Sequence, residues 1–130
     1  MNLVLDASAG FKLLLGTVTG HALLQQLPAQ IEWWVPEHYF VETASAIRRA
    51  ENLSAITPAQ AADAFERLSS ATVHRAQVRP LLTLAWQRRG HLTIADGIYV
   101  VLAEQISATL VTADLRLSRS PGLVVPTITP

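Results

Sequence analysis

The sequence predicts an α/β protein, a three-layer α/β/α sandwich around a short central parallel sheet of four to five strands. Two observations predict the class. Short apolar runs such as Leu3-Val4-Leu5 and Thr109-Leu110-Val111 alternate with segments of helical period. Strands alternating with helices argue for a parallel sheet covered on both faces. A third observation bounds the size. At 130 residues the chain has the length of one domain, read here as residues 1–130. A chain that long buries roughly 68% of the surface its unfolded form exposes.

The elements follow in order. Residues 3–5 read as a buried strand, after which Asp6-Ala7-Ser8 changes the local period. Residues 11–15 look helical, Gly16 and Gly20 break that helix, and 21–27 can form another. A second strand covers 31–35 and ends at Pro36. Residues 37–50 place Phe40, Ala44 and Ile47 at helical spacing. Thr57 caps, and Pro58 opens, a helix over 58–69 with apolar Ala61, Ala62, Phe65 and Leu68. A short strand is predicted at 72–74 and a helix at 78–89, where Pro80 is tolerable in the first turn. Another helix covers 93–105. Residues 109–111 read as a strand, 115–118 as one helical turn, and 123–125 as a last short strand.

Composition narrows the function classes. Half the residues are apolar and 15% are charged, which excludes a disordered chain. Ten basic residues balance ten acidic ones, so any nucleic-acid contact is local rather than a global basic field. Nine of the ten bases are Arg, the side chain that matches phosphate in a planar, two-pronged way. There is no Cys, hence no disulfide, thiolate metal site or Cys nucleophile. The four His show no zinc spacing. The start of the chain does not read as a signal peptide. The longest apolar run, residues 98–103, is far below the ~18 residues that span a bilayer. The expectation is a soluble cytoplasmic protein with no membrane partner.

Chemistry concentrates on acids. Of the four Asp, Asp63 lies inside a predicted helix, while Asp6, Asp96 and Asp114 sit at junctions between elements. Each could simply cap a helix, and Thr93-x-x-Asp96 fits the capping-box template. If strands one and four are neighbours, however, Asp6 and Asp114 emerge side by side at the carboxyl edge of the sheet, where ligands collect. Carboxylates converging there repel one another and raise a pKa unless a cation is present. Such a cluster suits hard divalent ions, which prefer oxygen ligands. Periodicity makes Glu42 a solvated residue, pointing away from the stripe of Phe40, Ala44 and Ile47.

Four stretches together resemble the PIN domain, and more narrowly a VapC-type toxin of a toxin–antitoxin pair. They are Leu3-Val4-Leu5-Asp6-Ala7-Ser8 with Lys12; Pro36-Glu37 followed by Glu42, Ala46-Ile47 and Arg48-Arg49; the run from Thr93 to Glu104; and the run from Leu110 to Leu117. The resemblance implies an acidic quartet of Asp6, Glu42, Asp96 and Asp114, supported by Thr112, with Ser8 beside Asp6. Ser45 stands where the family often has Asn, and Gly97 where Ala is usual.

The resemblance further implies a metal-dependent endoribonuclease, the toxin of a type II system. Carboxylate-held Mg²⁺ or Mn²⁺ would activate water against an RNA phosphodiester. A cognate antitoxin and a homodimer are the implied partners. Arg116, two residues past Asp114, is the leading RNA contact among Arg48, Arg49, Arg88, Arg89, Arg116 and Arg119, with Ser8 a second. The four His are then bystanders. Two alternatives stay open: a non-catalytic module that kept the PIN fold, and another acidic-pocket Mg²⁺ phosphotransfer domain.

Overall fold

The computed structural model describes residues 1–130. The elements run β1 (Asn2–Leu5), α1 (Ala7–Leu14), α2 (Val18–Leu24), β2 (Glu32–Pro36), α3 (His38–Asn52), α4 (Pro58–Ser69), β3 (His74–Ala76), α5 (Leu82–Gln87, after a 3-10 turn at Arg79–Leu81), α6 (Ile94–Gln105), β4 (Thr109–Val111), α7 (Leu115–Ser118) and β5 (Thr127–Ile128). The strands form one sheet of five, ordered β3-β2-β1-β4-β5, and every pair is parallel.

That order locates the site. The chain steps outward from β1 through β2 to β3, then returns to β4 on the other side of β1 and ends at β5. Parallel crossovers are right-handed, so reversing direction moves the connecting helices to the opposite face. The connections diverge between β1 and β4, which opens a crevice at their carboxyl ends.

The core is built from Leu3, Val4, Val35, Leu110 and Val111 of the sheet and from α6. Seven consecutive residues of α6, Gly97 through Ala103, are buried, as a helix apolar all round requires. It packs on β1, β2 and β4. Gly97 lets it approach α5: a Cβ there would lie 3.3 Å from Ala85 Cβ.

Several expectations are corrected. The last strand is Thr127–Ile128, not 123–125, and β3 lies at His74–Ala76, not 72–74; Pro36 ends β2 from within it. Gly16, with φ of 60°, does end α1. Gly20 does not break a helix: it lies inside α2, buried, where a Cβ would meet the Lys12 carbonyl carbon at 2.8 Å. In α4 the buried face is Ala61, Ala64 and Leu68, leaving Phe65 53% exposed. In α3 it is Tyr39, Thr43 and Ile47, one residue round from the predicted stripe, with Phe40 and Ala44 at its margin.

No helix is long and apolar enough to cross a membrane.

Candidate active site

The register Leu5↔Val111 places Asp6 and Thr112 side by side at the crevice. Asp6 N–H extends the ladder to Val111 O (3.1 Å), and Thr112 N–H reaches Ile128 O (3.1 Å). Asp6 caps α1, its Oδ1 accepting from Ala9 N–H at 2.9 Å. Ser8 Oγ donates to the same oxygen at 2.6 Å and accepts from Ala113 N–H at 3.0 Å. Ser8 thereby ties the turn after β1 to the turn after β4. Thr112 Oγ1 lies 3.3 Å from Ser8 Oγ and accepts from Asp114 N–H at 3.0 Å. Asp114 caps α7 through Oδ1, which accepts from Arg116 N–H (2.9 Å) and Leu117 N–H (3.2 Å).

Capping and convergence are therefore the same event. The N-cap position is what fixes Asp6 and Asp114 at the strand ends. Asp96 arrives from the other face, in the first turn of α6, where its N–H donates to the capping Thr93 Oγ1 at 3.2 Å.

Glu42 joins them, against its periodicity. The one-residue rotation of α3 brings it toward α6, and its Oε1 accepts from Tyr99 Oη at 2.7 Å. His38 Nε2 lies 3.5 Å from the same Oε1 and 3.1 Å from Ala95 O. A carbonyl only accepts, so Nε2 carries the proton. The His38 ring also leans on Tyr99, their centroids 4.6 Å apart. His38 thus packs against the site rather than apart from it. The sequence sets His38 on the Glu42 side of its helix, four residues earlier, with a general-base role as the alternative to a bystander; Tyr99, in the most apolar run, it does not mark.

Electrostatics register the crowding. Burial pushes the Asp6 carboxyl up from 3.8 to about 6; hydrogen bonds from Ser8, Thr112 and Ala9 oppose the rise and the Asp96 charge adds to it. Asp96 is also raised, first by burial and then by Asp114 and Glu42, with Thr93 and Arg116 acting the other way. Asp96 is the hub: it feels the charges of Asp114 and Glu42, and Asp6 feels its charge. With the side chains as they stand, no three His, Asp or Glu are grouped closely enough to enclose an ion directly. The donors are all oxygen, which suits Mg²⁺ and Mn²⁺ rather than zinc. Mg²⁺ in particular needs one or two carboxylates and keeps its waters. The donor set fits such an ion.

Two openings leave the crevice. A polar one of about 570 Å³ runs past Asp96 and Arg116. The other, about 540 Å³, passes Ser8 and Glu42 and is walled by apolar Phe11, Ala46, Ala50 and Leu53, with Lys12 and Arg49 at its rim.

Comparison with known proteins agrees with this geometry. The PIN domain family model matches residues 3–123, and the chain belongs to that family. Ribonuclease VapC12 of Mycobacterium tuberculosis is 37% identical over 120 residues, 92% of each chain. The solved structure of Mycobacterium tuberculosis VapC20, described as a sarcin-ricin loop cleaving toxin, superposes with a TM-score of 0.66 at 17% identity, covering 89% of this chain and 92% of that one. VapBC2 from Rickettsia felis, solved bound to a DNA fragment from its promoter, gives 0.63 at 15% identity over 98% of both chains. Ribonucleases of this family generally depend on a divalent metal. Membership removes the reading of the acidic pocket as another Mg²⁺ phosphotransfer domain.

Proposed function

We propose that the chain is a metal-dependent endoribonuclease and the toxin of a type II toxin–antitoxin pair, a single cytoplasmic domain over residues 1–130 that works as a homodimer. The observation that carries the reading is the junction at β1 and β4. There a buried carboxylate, Asp6, is held by Ser8 against the chain that presents Thr112 and Asp114.

In this reading Asp6, Glu42, Asp96 and Asp114 would hold Mg²⁺ or Mn²⁺, which when bound would supply charge neutralisation at the phosphate and acidification of a water. The chain's own residues do the rest. Asp6 is aimed by Ser8 and the Ala9 N–H, Asp114 by the first turn of α7, and Asp96 by the Thr93 cap. Thr112 keeps the two strand ends in register through its contacts with Ser8 and Asp114 N–H. Arg116, whose side chain is 84% exposed and 3.7 Å from Asp114 Oδ2, is free to swing onto a phosphate. Ser8 lies close enough to Asp6 to contact substrate there.

The partner is a cognate antitoxin. Support comes from relatives solved as toxin–antitoxin complexes and from the apolar opening beside Glu42, whose basic rim differs in character from the polar opening beside Asp96.

The test is cleavage of a labelled single-stranded RNA with Mg²⁺ or Mn²⁺, with and without EDTA, for the parent chain and Asp96→Asn. Metal-dependent cleavage lost in the variant supports the reading. Cleavage that persists in EDTA overturns the metal mechanism, and no cleavage under any divalent ion returns the chain to a non-catalytic module.

A further inference from the structure

The polar opening has a construction of its own. One wall is the segment leading into α6, with His91, Thr93 and Asp96; the other is α7 and the turn after it, with Arg116, Arg119 and Ser120. The walls are fastened together. Ser120 Oγ donates to His91 O at 3.4 Å and accepts from Gly122 N–H at 3.2 Å. Gly122 lies so close against the other wall that a Cβ would come within 3.0 Å of His91 Cβ and Leu92 Cγ. The result is a trough of about 570 Å³, within the usual range of ligand sites.

Among the residues lining the trough, one carboxylate, Asp96, stands with two arginines and an imidazole. Arg119 is exposed and makes no ion pair, unlike Arg67, Arg75 and Arg88, each of which has an acidic partner. Arg116 in the same trough stands 3.7 Å from Asp114 Oδ2, so Arg119 is its unpaired arginine, and an unpaired arginine beside an acidic crevice answers a specific need. A polyanion approaching carboxylates requires cations flanking the reacting phosphate to hold the neighbouring ones.

We propose that the trough between His91–Asp96 and Arg116–Ser120 is a binding site for the RNA strand on one side of the scissile phosphate. Arg119 grips the next phosphate along, and His91 and Ser120 line the sugar–base path. The assignment rests on the nuclease reading and deepens it by giving the substrate a direction of exit. Arg119 is a binding residue here, not a catalytic one.

The experiment compares the parent chain with Arg119→Ala, Arg119→Lys and, as a remote control at the other edge of the sheet, Arg75→Ala. Binding of a fluorescein-labelled single-stranded oligoribonucleotide is titrated in EDTA across a salt series, and steady-state cleavage is measured separately in Mn²⁺. Arg119→Ala is expected to raise Kd about fivefold at moderate salt, the upper end for one exposed ion pair. It should flatten the log Kd against log salt slope by about 0.7, the contribution of one single-strand phosphate contact. KM should rise with kcat unchanged. Arg119→Lys should restore the salt slope, and Arg75→Ala should match the parent. An unchanged slope and KM in Arg119→Ala, with cleavage intact, overturns the trough and leaves the nuclease reading standing. Absence of cleavage by the parent chain overturns the nuclease reading itself.

Discussion

The Tyr99 hydroxyl donates a 2.7 Å hydrogen bond to Glu42 Oε1, joining α6 to α3 across the crevice. Burial first, then the hydrogen bond and charge of Glu42, hold the phenol above its ordinary pKa, so it stays a donor at any working pH. One oxygen of Glu42 is thereby committed to the protein. His38 Nε2–H anchors on Ala95 O, next to Asp96, and the same Glu42 oxygen lies 3.5 Å from that nitrogen.

Tyr99→Phe tests that arrangement. The ring is 1% exposed and the phenylalanine keeps its packing, while the half-exposed Glu42 oxygen regains water, so the melting temperature should move little. Supporting hydrogen bonds to a metal ligand are worth 10–100-fold in affinity or activity. The expected outcome is about tenfold weaker Mn²⁺ binding by calorimetry and a comparable fall in kcat. Unchanged Mn²⁺ affinity returns Glu42 to the role of a surface acid.

Asp96→Asn separates chemistry from stability. Burial and the charges of Asp114 and Glu42 already work against ionised Asp96. The amide keeps the Thr93 cap, which uses the backbone N–H, and removes one member of the repelling set. Cleavage should fall more than about 100-fold, as for loss of a group facing developing charge. The metal-free melting temperature should stay level or rise. A large loss of stability would instead make Asp96 chiefly a helix-capping residue.

The sequence made the crevice legible because its signals are local. Asp6 and Asp114 each follow an apolar run and precede a helix, and those runs are β1 and β4, neighbours in the sheet. Glu42 was legible only through resemblance. The heptad-like stripe of Phe40, Ala44 and Ile47 is the strongest periodic signal in α3, yet the packed face is Tyr39, Thr43 and Ile47. A tyrosine and a threonine score poorly as core, but Tyr39 fits over Gly10, where a Cβ would lie 2.7 Å from its Cε2. The last strand was misplaced for a similar reason. Leu123 and Val125 are the more apolar pair, but Thr127 and Ile128 are the residues in register with Leu110 and Val111.

Gly20 offers a test of packing that periodicity could not supply. Any side chain there runs into the Lys12 carbonyl, and backbone cannot rotate aside as a side chain can. Gly20→Ala should destabilise the chain by about 1–3 kcal/mol despite alanine's better helix propensity, read as a lower melting temperature. Gly90, with nothing within 4 Å of a built Cβ, is the counterpart. Gly90→Ala should be neutral or stabilising by up to about 1 kcal/mol. Equal effects at the two sites would contradict the close crossing of α1 and α2.

Asp6 gives the fold a pH signature of definite sign. Its carboxyl rises from 3.8 to about 6 on folding, mainly through burial. Between those values the folded chain retains a proton that the unfolded chain releases, so stability declines as pH climbs through that window and levels off above it. The size of the decline is about 3 kcal/mol at most. Binding of a divalent ion demands the ionised form, so metal affinity should run the opposite way, weakening as pH drops below about 6. Metal added at neutral pH should then recover stability that ionisation removed. Thermal melts from pH 4 to 8, with and without Mn²⁺, should show the metal-free chain losing stability toward neutrality and the metal-loaded chain gaining it. Asp6→Asn should weaken both trends, leaving the part that the raised Asp96 contributes. A variant whose pH profile tracks the parent's would place the titrating group elsewhere and remove Asp6 from the centre of the site.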